Sequence, residues 1–404
     1  MKPLAGQRVV DLTQNVAGPY CTQILADLGA EVIKIERPGS GDDTRQWMPR
    51  VAEGLSPTYA TFNRGKASVA IDLDDPRGQT LLRQLLQDDD VLVHSLKPGS
   101  AERRGLGYDA LSAERSGLIY CAISAFGNVG ALSALPGYDP LIQAYVGIMS
   151  VNGHDGSPPA RVGVSMVDMG TGLWSALGIV AAIAQRKDSG RGSRIDTSLL
   201  ETGLAWMTNP VANYSVSGSL PRKLGSATAM LAPYEAFDSA DGCVFIACGN
   251  DRLFQKLAAA LGATGLATDP RFATNADRVR HRSDLHLALD ALTRQHSTAH
   301  TVAQLRSAGV PVSAVQDLSQ VLDDAQVNAL GLHRPLAMTT DSGASVNVQA
   351  VGLPIRFDGV REFASGLSML PGQDSMAVLR AAGIGDADIA GLAAQGVIQL
   401  RAAR

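Results

Sequence analysis

The start of the chain alternates between short apolar runs and a helical segment. Arg8 to Leu12 and Glu31 to Glu36 are β-branched runs that predict buried strands. The helix between them is predicted from Pro19 to Leu28, because proline is well tolerated at the first helical position and Gly29 can end the helix. Two strands joined by a helix predict a right-handed βαβ unit with parallel strands.

The same alternation continues through the first half of the chain. Apolar runs predict strands at Ser68 to Leu73, Val91 to Ser95 and Leu118 to Ser124, with a helix at Gly78 to Gln87. This rhythm indicates an α/β fold with a doubly wound, Rossmann-like parallel sheet. Sheets of this kind bind ligands beyond the carboxyl ends of their strands.

The pattern changes after about residue 213. A Ser/Gly/Leu-rich stretch is followed by two β-runs that flank Ser239 to Gly242, which predicts a hairpin. Helical segments near 251–262, 275–295 and 299–308 follow, and the last residues return to short strands and two amphipathic helices. Since 404 residues are many for one core, we expect a discontinuous large domain, a linker and a smaller α+β domain: 1–213 with 331–404, 214–232, and 233–330.

Composition narrows the class of protein. Lys plus Arg number 35 against 39 Asp plus Glu, a net charge of −4 that argues against a nucleic-acid partner. The four cysteines form no C-x-x-C pair, which argues against a disulfide framework or a structural zinc site. No signal peptide is visible, and the longest apolar stretch, Leu173 to Ala184, is too short to span a bilayer. These features predict a cytoplasmic protein without a membrane partner.

The first βαβ unit has the outline of a dinucleotide site but lacks its chemistry. A bound pyrophosphate needs several glycines between strand and helix, and the loop TQNVAG offers only Gly18. The unit therefore indicates a fold and not a nicotinamide or flavin cofactor.

Asp168 stands immediately before a long apolar segment that predicts a helix. An Asp in this position is most often an N-cap, worth about 1 kcal/mol. Gly170 and Gly172, however, are poor residues for a first helical turn. They are explained if a ligand must approach the backbone closely, which leaves a chemical role for Asp168 open beside the capping role.

Several segments carry a more specific signal through their shared order. They are Gly18 to Arg45 (GPYCTQILADLGAEVIKIERPGSGDDTR), Asn63 to Lys66, His94 to Gly99, Ser124 to Gly127, and Val167 to Gly172 with its helix and Arg186 to Gly192. Together they resemble the class III CoA-transferases, the family of formyl-CoA and carnitine CoA-transferases that also includes α-methylacyl-CoA racemase. The resemblance is close over about 1–200 and looser beyond.

The resemblance implies a covalent mechanism at Asp168. The carboxylate would attack an acyl-CoA to give a mixed anhydride, then an aspartyl-CoA thioester, from which CoA passes to an acceptor acid. Coenzyme A or acyl-CoA would be a substrate, and no permanently bound cofactor or metal would be needed. The resemblance also implies a homodimer of interlocked rings.

Two neighbouring residues separate transferase from racemase. The racemases of this superfamily carry His-Asp where this chain has Tyr138-Asp139. Tyrosine, with a reference pKa of about 10, is a poor base at neutral pH, which favours the transferase. By resemblance Asp139 orients the nucleophile, whereas read alone it is a turn residue before Pro140.

Family positions for coenzyme A fall on residues of mixed type. Arg37, Lys97 and Arg103 suit the adenosine phosphates, although single exposed cations are also ordinary surface residues. Pro136 replaces a family lysine, so that contact is in doubt. The full set is Val16, Ala17, Arg37, Ile71, Asp72, Leu73, Asp74, Ser95, Leu96, Lys97 and Arg103.

Two other functions stay open at this point. An acyl-CoA racemase or isomerase of the same superfamily would need a base that Tyr138 does not supply. A non-catalytic nucleotide-binding protein would leave Gly170 and Gly172 unexplained.

Overall fold

The computed structural model describes residues 2–401. Its strands, numbered in chain order, are β1 (Arg8–Leu12), β2 (Glu31–Glu36), β3 (Lys66–Ile71), β4 (Val91–His94), β5 (Ile119–Ser124), β6 (Arg194–Ser198), β7 (Tyr234–Ser239), β8 (Gly242–Ala247), β9 (Val312–Ala314), β10 (His333–Thr339), β11 (Ser345–Val351) and β12 (Ile398–Gln399).

The α-helices of the same residues are α1 (Ala17–Asp27), α2 (Pro57–Asn63), α3 (Pro76–Leu85), α4 (Ser100–Arg103), α5 (Tyr108–Glu114), α6 (Asp139–Tyr145), α7 (Ile148–Val151), α8 (Met166–Ser189), α9 (Leu199–Trp206), α10 (Thr208–Ser217), α11 (Asp251–Ala260), α12 (Thr264–Thr268), α13 (Asn275–Arg280), α14 (Arg282–Thr293), α15 (Thr298–Ser307), α16 (Leu318–Asp323), α17 (Ala325–Leu330), α18 (Ser375–Ala381) and α19 (Asp386–Ala394).

The main sheet has seven strands in the order β12-β3-β2-β1-β4-β5-β6. Strands β1 to β6 are mutually parallel, and β12 pairs antiparallel with β3. The order 3-2-1-4-5-6 is that of doubly wound nucleotide-binding sheets, whose direction of growth reverses between β1 and β4. The predicted large parallel sheet is confirmed. Strand β6 was not predicted, because this half-exposed edge strand (RIDTS) has no apolar run.

Helices cover both faces of the sheet, which explains why its central strands are apolar on both sides. On one face Leu25 of α1 and Ile179 of α8 pack against Val9 and Val93. On the other face helices α3, α5, α18 and α19 pack against the alternate strand residues, among them Val10. This sandwich holds the start of α1 and the start of α8 in fixed positions at one edge of the sheet.

The chain divides into two compact units. The larger unit combines the residues up to Val146, Val162–Ala212 and the residues from Leu330 onward; the second combines Gly147–Arg161 with Asn213–Ala329. Residues 147–161, which the sequence pattern predicts in the large domain, belong to the second unit, and the other predicted domain and linker bounds stay predictions. In the second unit the predicted hairpin is present as β7 and β8. The helix predicted at 275–295 is divided into α13 and α14 at His281.

Helix α8 is the one helix of residues 2–401 whose length and apolar composition would suffice to cross a membrane. Half of its most apolar 18-residue window is buried inside the protein. The helix has 24 residues, and the 12-residue apolar stretch Leu173 to Ala184 lies within it. The expected cytoplasmic location and the lack of a membrane or nucleic-acid partner stay predictions.

Candidate active site

Asp168 is the third residue of α8 and not the residue that precedes it. The helix begins at Met166, and Ser165 before it makes no capping hydrogen bond through its side chain. The Asp168 carboxylate accepts no hydrogen bond from any residue of 2–401. The capping role that residue preferences favour for Asp168 is therefore wrong.

The carboxylate of Asp139 caps α8 instead, from the first residue of α6. Its Oδ2 accepts hydrogen bonds from the backbone N–H groups of Val167 (2.7 Å) and Asp168 (3.1 Å). Its Oδ1 accepts a hydrogen bond from Gln143 Nε2, and Gln143 Oε1 in turn accepts one from Val162 N at 2.8 Å. Asp139 is buried, with only 2% of its surface exposed. It is thus not a turn residue, and it fixes the backbone of Asp168 without bonding to its side chain.

The environment of Asp168 opposes ionisation. Partial burial, and then the negative charge of Asp139, raise the pKa of Asp168 from 3.8 to about 7. No cation among the described residues acts against this rise. A carboxylate that is poorly solvated, unpaired and close to a second negative charge is more basic than an ordinary aspartate and is available to react.

Tyr138 lies directly before α6 and is 63% exposed. Its backbone carbonyl accepts the hydrogen bond from Ile142 N that begins this helix. Its predicted part in the chemistry stays a prediction.

The candidate coenzyme A residues lie in or directly beside four loops at the same edge of the sheet, with Ile71 at the end of β3, Ala17 at the start of α1 and Arg103 at the end of α4. Each loop follows the carboxyl end of a parallel strand: β1, β2, β3 or β4. In strand order they are Val16 and Ala17; Arg37; Ile71, Asp72, Leu73 and Asp74; and Ser95, Leu96, Lys97 and Arg103. Their binding role stays a prediction, but the topology brings them together.

The charged members of this set differ in their partners. Arg37 forms an ion pair with Asp43, and Asp74 forms one with Arg104. Lys97 and Arg103 are exposed and pair with no carboxylate of residues 2–401. Because Asp74 is acidic, it would repel a phosphate, so a contact there must come from its backbone.

Neighbouring helices explain the two glycines of α8. A Cβ at Gly172 would lie 2.5 Å from the carbonyl oxygen of Ala17, and a Cβ at Gly170 would lie 2.7 Å from the ring of Trp206. The close approach inferred from the sequence is therefore made by α1 and α9 and not by a ligand. These glycines do not distinguish an enzyme from a binding protein.

Two carboxylates on the first two strands, Asp11 of β1 and Glu36 of β2, form buried ion pairs beneath the loops. Arg45 binds both carboxylate oxygens of Glu36 at 2.7 Å. Burial alone would raise the pKa of Glu36, but the hydrogen bonds and charge of Arg45 outweigh it and lower the pKa to about 2. Lys66 bonds to Asp11 at 3.1 Å and to Asn63 at 3.0 Å. These pairs are structural: they hold the strand ends from which the loops emerge.

No group of three or more His, Cys, Asp or Glu side chains within residues 2–401 is arranged to hold a metal ion. The expectation that no cofactor is permanently bound stays a prediction.

Sequence reasoning missed Gln143, which locks Asp139. The signal was available, since Gln and Asp four residues apart on a helix are known to pair. It also missed Lys34, whose Nζ lies 2.9 Å from Asp42 Oδ2 in the protein interior. A lone Lys inside a predicted buried strand was the available signal for a buried partner.

Comparison with known proteins gives consistent matches over nearly the whole chain. The sequence model described as CoA-transferase family III matches residues 4–371. Succinyl-CoA:glutarate CoA-transferase of Mus musculus is 34% identical over 94% of this chain and 86% of that protein. Acetyl-CoA:oxalate CoA-transferase of Acetobacter aceti is 36% identical over 88% of this chain and 90% of that protein. The crystal structure of a CAIB/BAIF family protein from Brucella suis superposes with a TM-score of 0.84 at 36% identity, over 94% of this chain and 99% of that one.

Proposed function

Because this chain belongs to CoA-transferase family III, we propose that it moves coenzyme A from an acyl-CoA donor to a carboxylic acid acceptor, with Asp168 as the covalent nucleophile. The observation that carries the proposal is the state of Asp168. Its carboxylate is unpaired, its pKa is raised to about 7, and its backbone is fixed by Asp139. An aspartate with a purely structural role would not need a carboxylate that is unpaired and raised in pKa on a fixed backbone.

The reaction has four exchanges. Asp168 adds to the thioester carbonyl carbon and the C–S bond breaks. CoA thiolate departs, and a mixed anhydride between the acyl group and Asp168 remains. The thiolate then attacks the aspartyl carbonyl and releases the donor acid, which leaves an aspartyl-CoA thioester. The acceptor carboxylate attacks this thioester and expels the thiolate. The thiolate attacks the acceptor carbonyl of the second anhydride, giving the new acyl-CoA and free Asp168.

The surroundings of Asp168 support each of these steps. A carboxylate with a raised pKa is a stronger nucleophile once it has lost its proton. The positive end of α8 favours the negative charge that develops on the thiolate or the oxyanion. Lys97 and Arg103, which have no carboxylate partner in the described chain, would attract the phosphates of coenzyme A.

The acids are proposed from the relatives. Their names give succinate or acetate as donor acyl groups and glutarate or oxalate as acceptors. We therefore expect a short dicarboxylic acid as at least one of the two substrates of this chain.

We also propose a homodimer, interlocked as the family resemblance implies. The support from the chain is a set of large apolar side chains on α8 and α9 that are at least 41% exposed: Leu173, Trp174, Leu177, Leu204 and Trp206. Two of them, Trp174 and Trp206, have ring centroids 6.3 Å apart, and exposed large apolar side chains grouped on neighbouring helices are typical of protein–protein interfaces. A second copy of the chain is the occupant we propose.

The test is a panel of acyl-CoA donors against carboxylate acceptors, with new thioesters read by mass spectrometry. Wild-type protein should form a new acyl-CoA and, with hydroxylamine present, carry a hydroxamate on Asp168. Asp168→Asn should give neither product, because an amide cannot form the anhydride. The control Asp109→Asn changes an exposed carboxylate in the first turn of α5 and should keep wild-type turnover. Normal turnover by Asp168→Asn, or trapping on another carboxylate, would show that the mechanism is wrong.

A further inference from the structure

The loop from Thr13 to Val16 borders the proposed nucleophile. It joins β1 to α1 at the point where the strand order reverses between β1 and β4, which is where such sheets form their ligand crevice. The start of α1 packs directly on α8, since the Ala17 carbonyl oxygen lies against Gly172. Asp168 is four residues before Gly172, about one helical turn. The loop and the carboxylate therefore share one corner of the sheet edge.

Asn15, in the middle of this loop, has a left-handed backbone conformation with φ of 67°. Among residues 2–401 only one other non-glycine residue, Asp358, has a positive φ. Such a conformation costs of the order of 1–3 kcal/mol and persists only where the surrounding structure enforces it.

A buried ion pair enforces the conformation of the loop. The Asn15 N–H donates to Asp42 Oδ1 at 3.3 Å, and Asp42 Oδ2 lies 2.9 Å from Lys34 Nζ. The same Lys34 Nζ donates to the carbonyl oxygen of Thr13 at 2.9 Å. Asp42 and Lys34 are at most 1% exposed, so neither can move without disturbing the core. The backbone groups of Asn15 and Thr13 are thus both hydrogen-bonded to the buried Lys34–Asp42 ion pair.

The carboxamide of Asn15 is left unused by the protein. It is half-buried and makes no hydrogen bond with any residue of 2–401. A polar side chain held at a strained position, and not satisfied locally, is available to a ligand. The group that needs a donor at this corner is the carbonyl oxygen of the acyl group, because it gains negative charge when Asp168 adds to the carbonyl carbon.

We propose that Asn15 Nδ2 donates a hydrogen bond to the acyl carbonyl oxygen while Asp168 adds to the carbonyl carbon. The new C–O bond places the π electrons of the carbonyl on that oxygen, and the collapse of this oxyanion expels the CoA thiolate. An amide donor on a fixed backbone stabilises the oxyanion, and losing one such donor typically lowers kcat by about 10²–10³-fold. The inference rests on the proposed function and adds a residue to it.

Asn15→Gly is the decisive variant. Glycine adopts a positive φ without strain, so the loop keeps its path and only the carboxamide is lost. We expect kcat to fall about 100-fold. KM should not rise, and the melting temperature should not fall, relative to wild type. Asn15→Asp, which keeps the shape but replaces the donor with an acceptor, should lose at least as much. The matched control is Asp358→Gly, which relieves the other left-handed residue and should keep wild-type kcat.

The outcomes separate this inference from the proposed function. If Asn15→Gly keeps kcat within about threefold of wild type, when a lost donor should cost about 10²-fold, Asn15 does not touch the reacting carbonyl. A rise in KM at unchanged kcat would likewise overturn the inference, because it would show ground-state binding only. The mechanism at Asp168 is judged independently, by hydroxylamine trapping in wild-type protein and in Asp168→Asn. Loss of kcat in Asn15→Gly together with slower trapping at Asp168 supports the inference.

Discussion

Replacing Asp168 by Asn should make the protein more stable at pH 8 while it abolishes transfer. The carboxylate is ionised at pH 8 in both the folded and the unfolded chain, and burial beside Asp139 penalises its charge only in the folded state. A pKa raised from 3.8 to about 7 corresponds to an upper limit of about 4 kcal/mol, at about 1.36 kcal/mol per pH unit. The neutral amide does not pay this penalty.

Two effects reduce the expected gain without reversing it. Asp168 is partly exposed, so solvent screens part of its charge. The variant also loses the favourable interaction of a carboxylate with the N-terminus of α8, which is worth about 0.3–1 kcal/mol. We therefore expect a net stabilisation of about 1–3 kcal/mol at pH 8, between these limits.

The pH dependence gives the sign of the effect. Between pH 3.8 and about 7 the folded state holds the Asp168 proton more tightly than the unfolded state. The unfolded carboxyl ionises above pH 3.8 while the folded one keeps its proton up to about pH 7, so the loss of stability grows across this range and is complete above it. At pH 5 it has reached roughly two fifths of its full value.

Thermal denaturation of wild type, Asp168→Asn and the control Asp109→Asn at pH 5 and pH 8 measures this difference. The advantage of Asp168→Asn should be larger at pH 8 than at pH 5, and Asp109→Asn should resemble wild type at both. A variant less stable than wild type at pH 8, or a difference that does not change with pH, would refute the assigned environment of Asp168.

Four further predictions follow from the same structure. The rate of acylation of Asp168, measured in single turnovers by hydroxylamine trapping, should rise as pH increases through about 7, because the carboxylate is the nucleophile; a flat rate from pH 5 to 8 contradicts this. Asp139→Ala leaves two backbone N–H groups of α8 and the amide of Gln143 without their acceptor, so the free energy of unfolding should fall by about 2–3 kcal/mol; denaturant titration checks this, and an unchanged midpoint counts against the cap. Because Tyr138 is a poor base, wild-type protein should not exchange the α-proton of a 2-methylacyl-CoA with deuterated water; rapid exchange seen by NMR would favour the isomerase. Light scattering at low micromolar concentration should give twice the chain mass of 42.2 kDa, and a stable monomer would exclude the interlocked dimer.

Local sequence patterns were sufficient for most of the sheet. Strands β1, β2, β4 and β5 are buried on both faces, so each is an apolar run that can be recognised without knowing its neighbours. Strand β6 could not be found in this way, because an edge strand is only half-buried and its polar residues match those of a loop. The pairing of β12 with β3 joins residues more than 300 positions apart, and no local pattern specifies such a contact.

The candidate site divides in the same way. The sequence by itself was sufficient to predict Asp168 as the nucleophile, which stays a prediction, and to order the four loops, because family motifs and the βαβ alternation are local properties of the chain. Only the tertiary structure decided that Asp139 caps α8 across 29 positions, and that α1 and α9 are the neighbours of Gly172 and Gly170. The raised pKa of Asp168 also belongs to the fold, since burial and a second carboxylate act on it only after distant segments have packed together. Chemistry that depends on residue type can be predicted from the sequence, whereas the solvation of a group and its distance from other charges are set only when the chain folds.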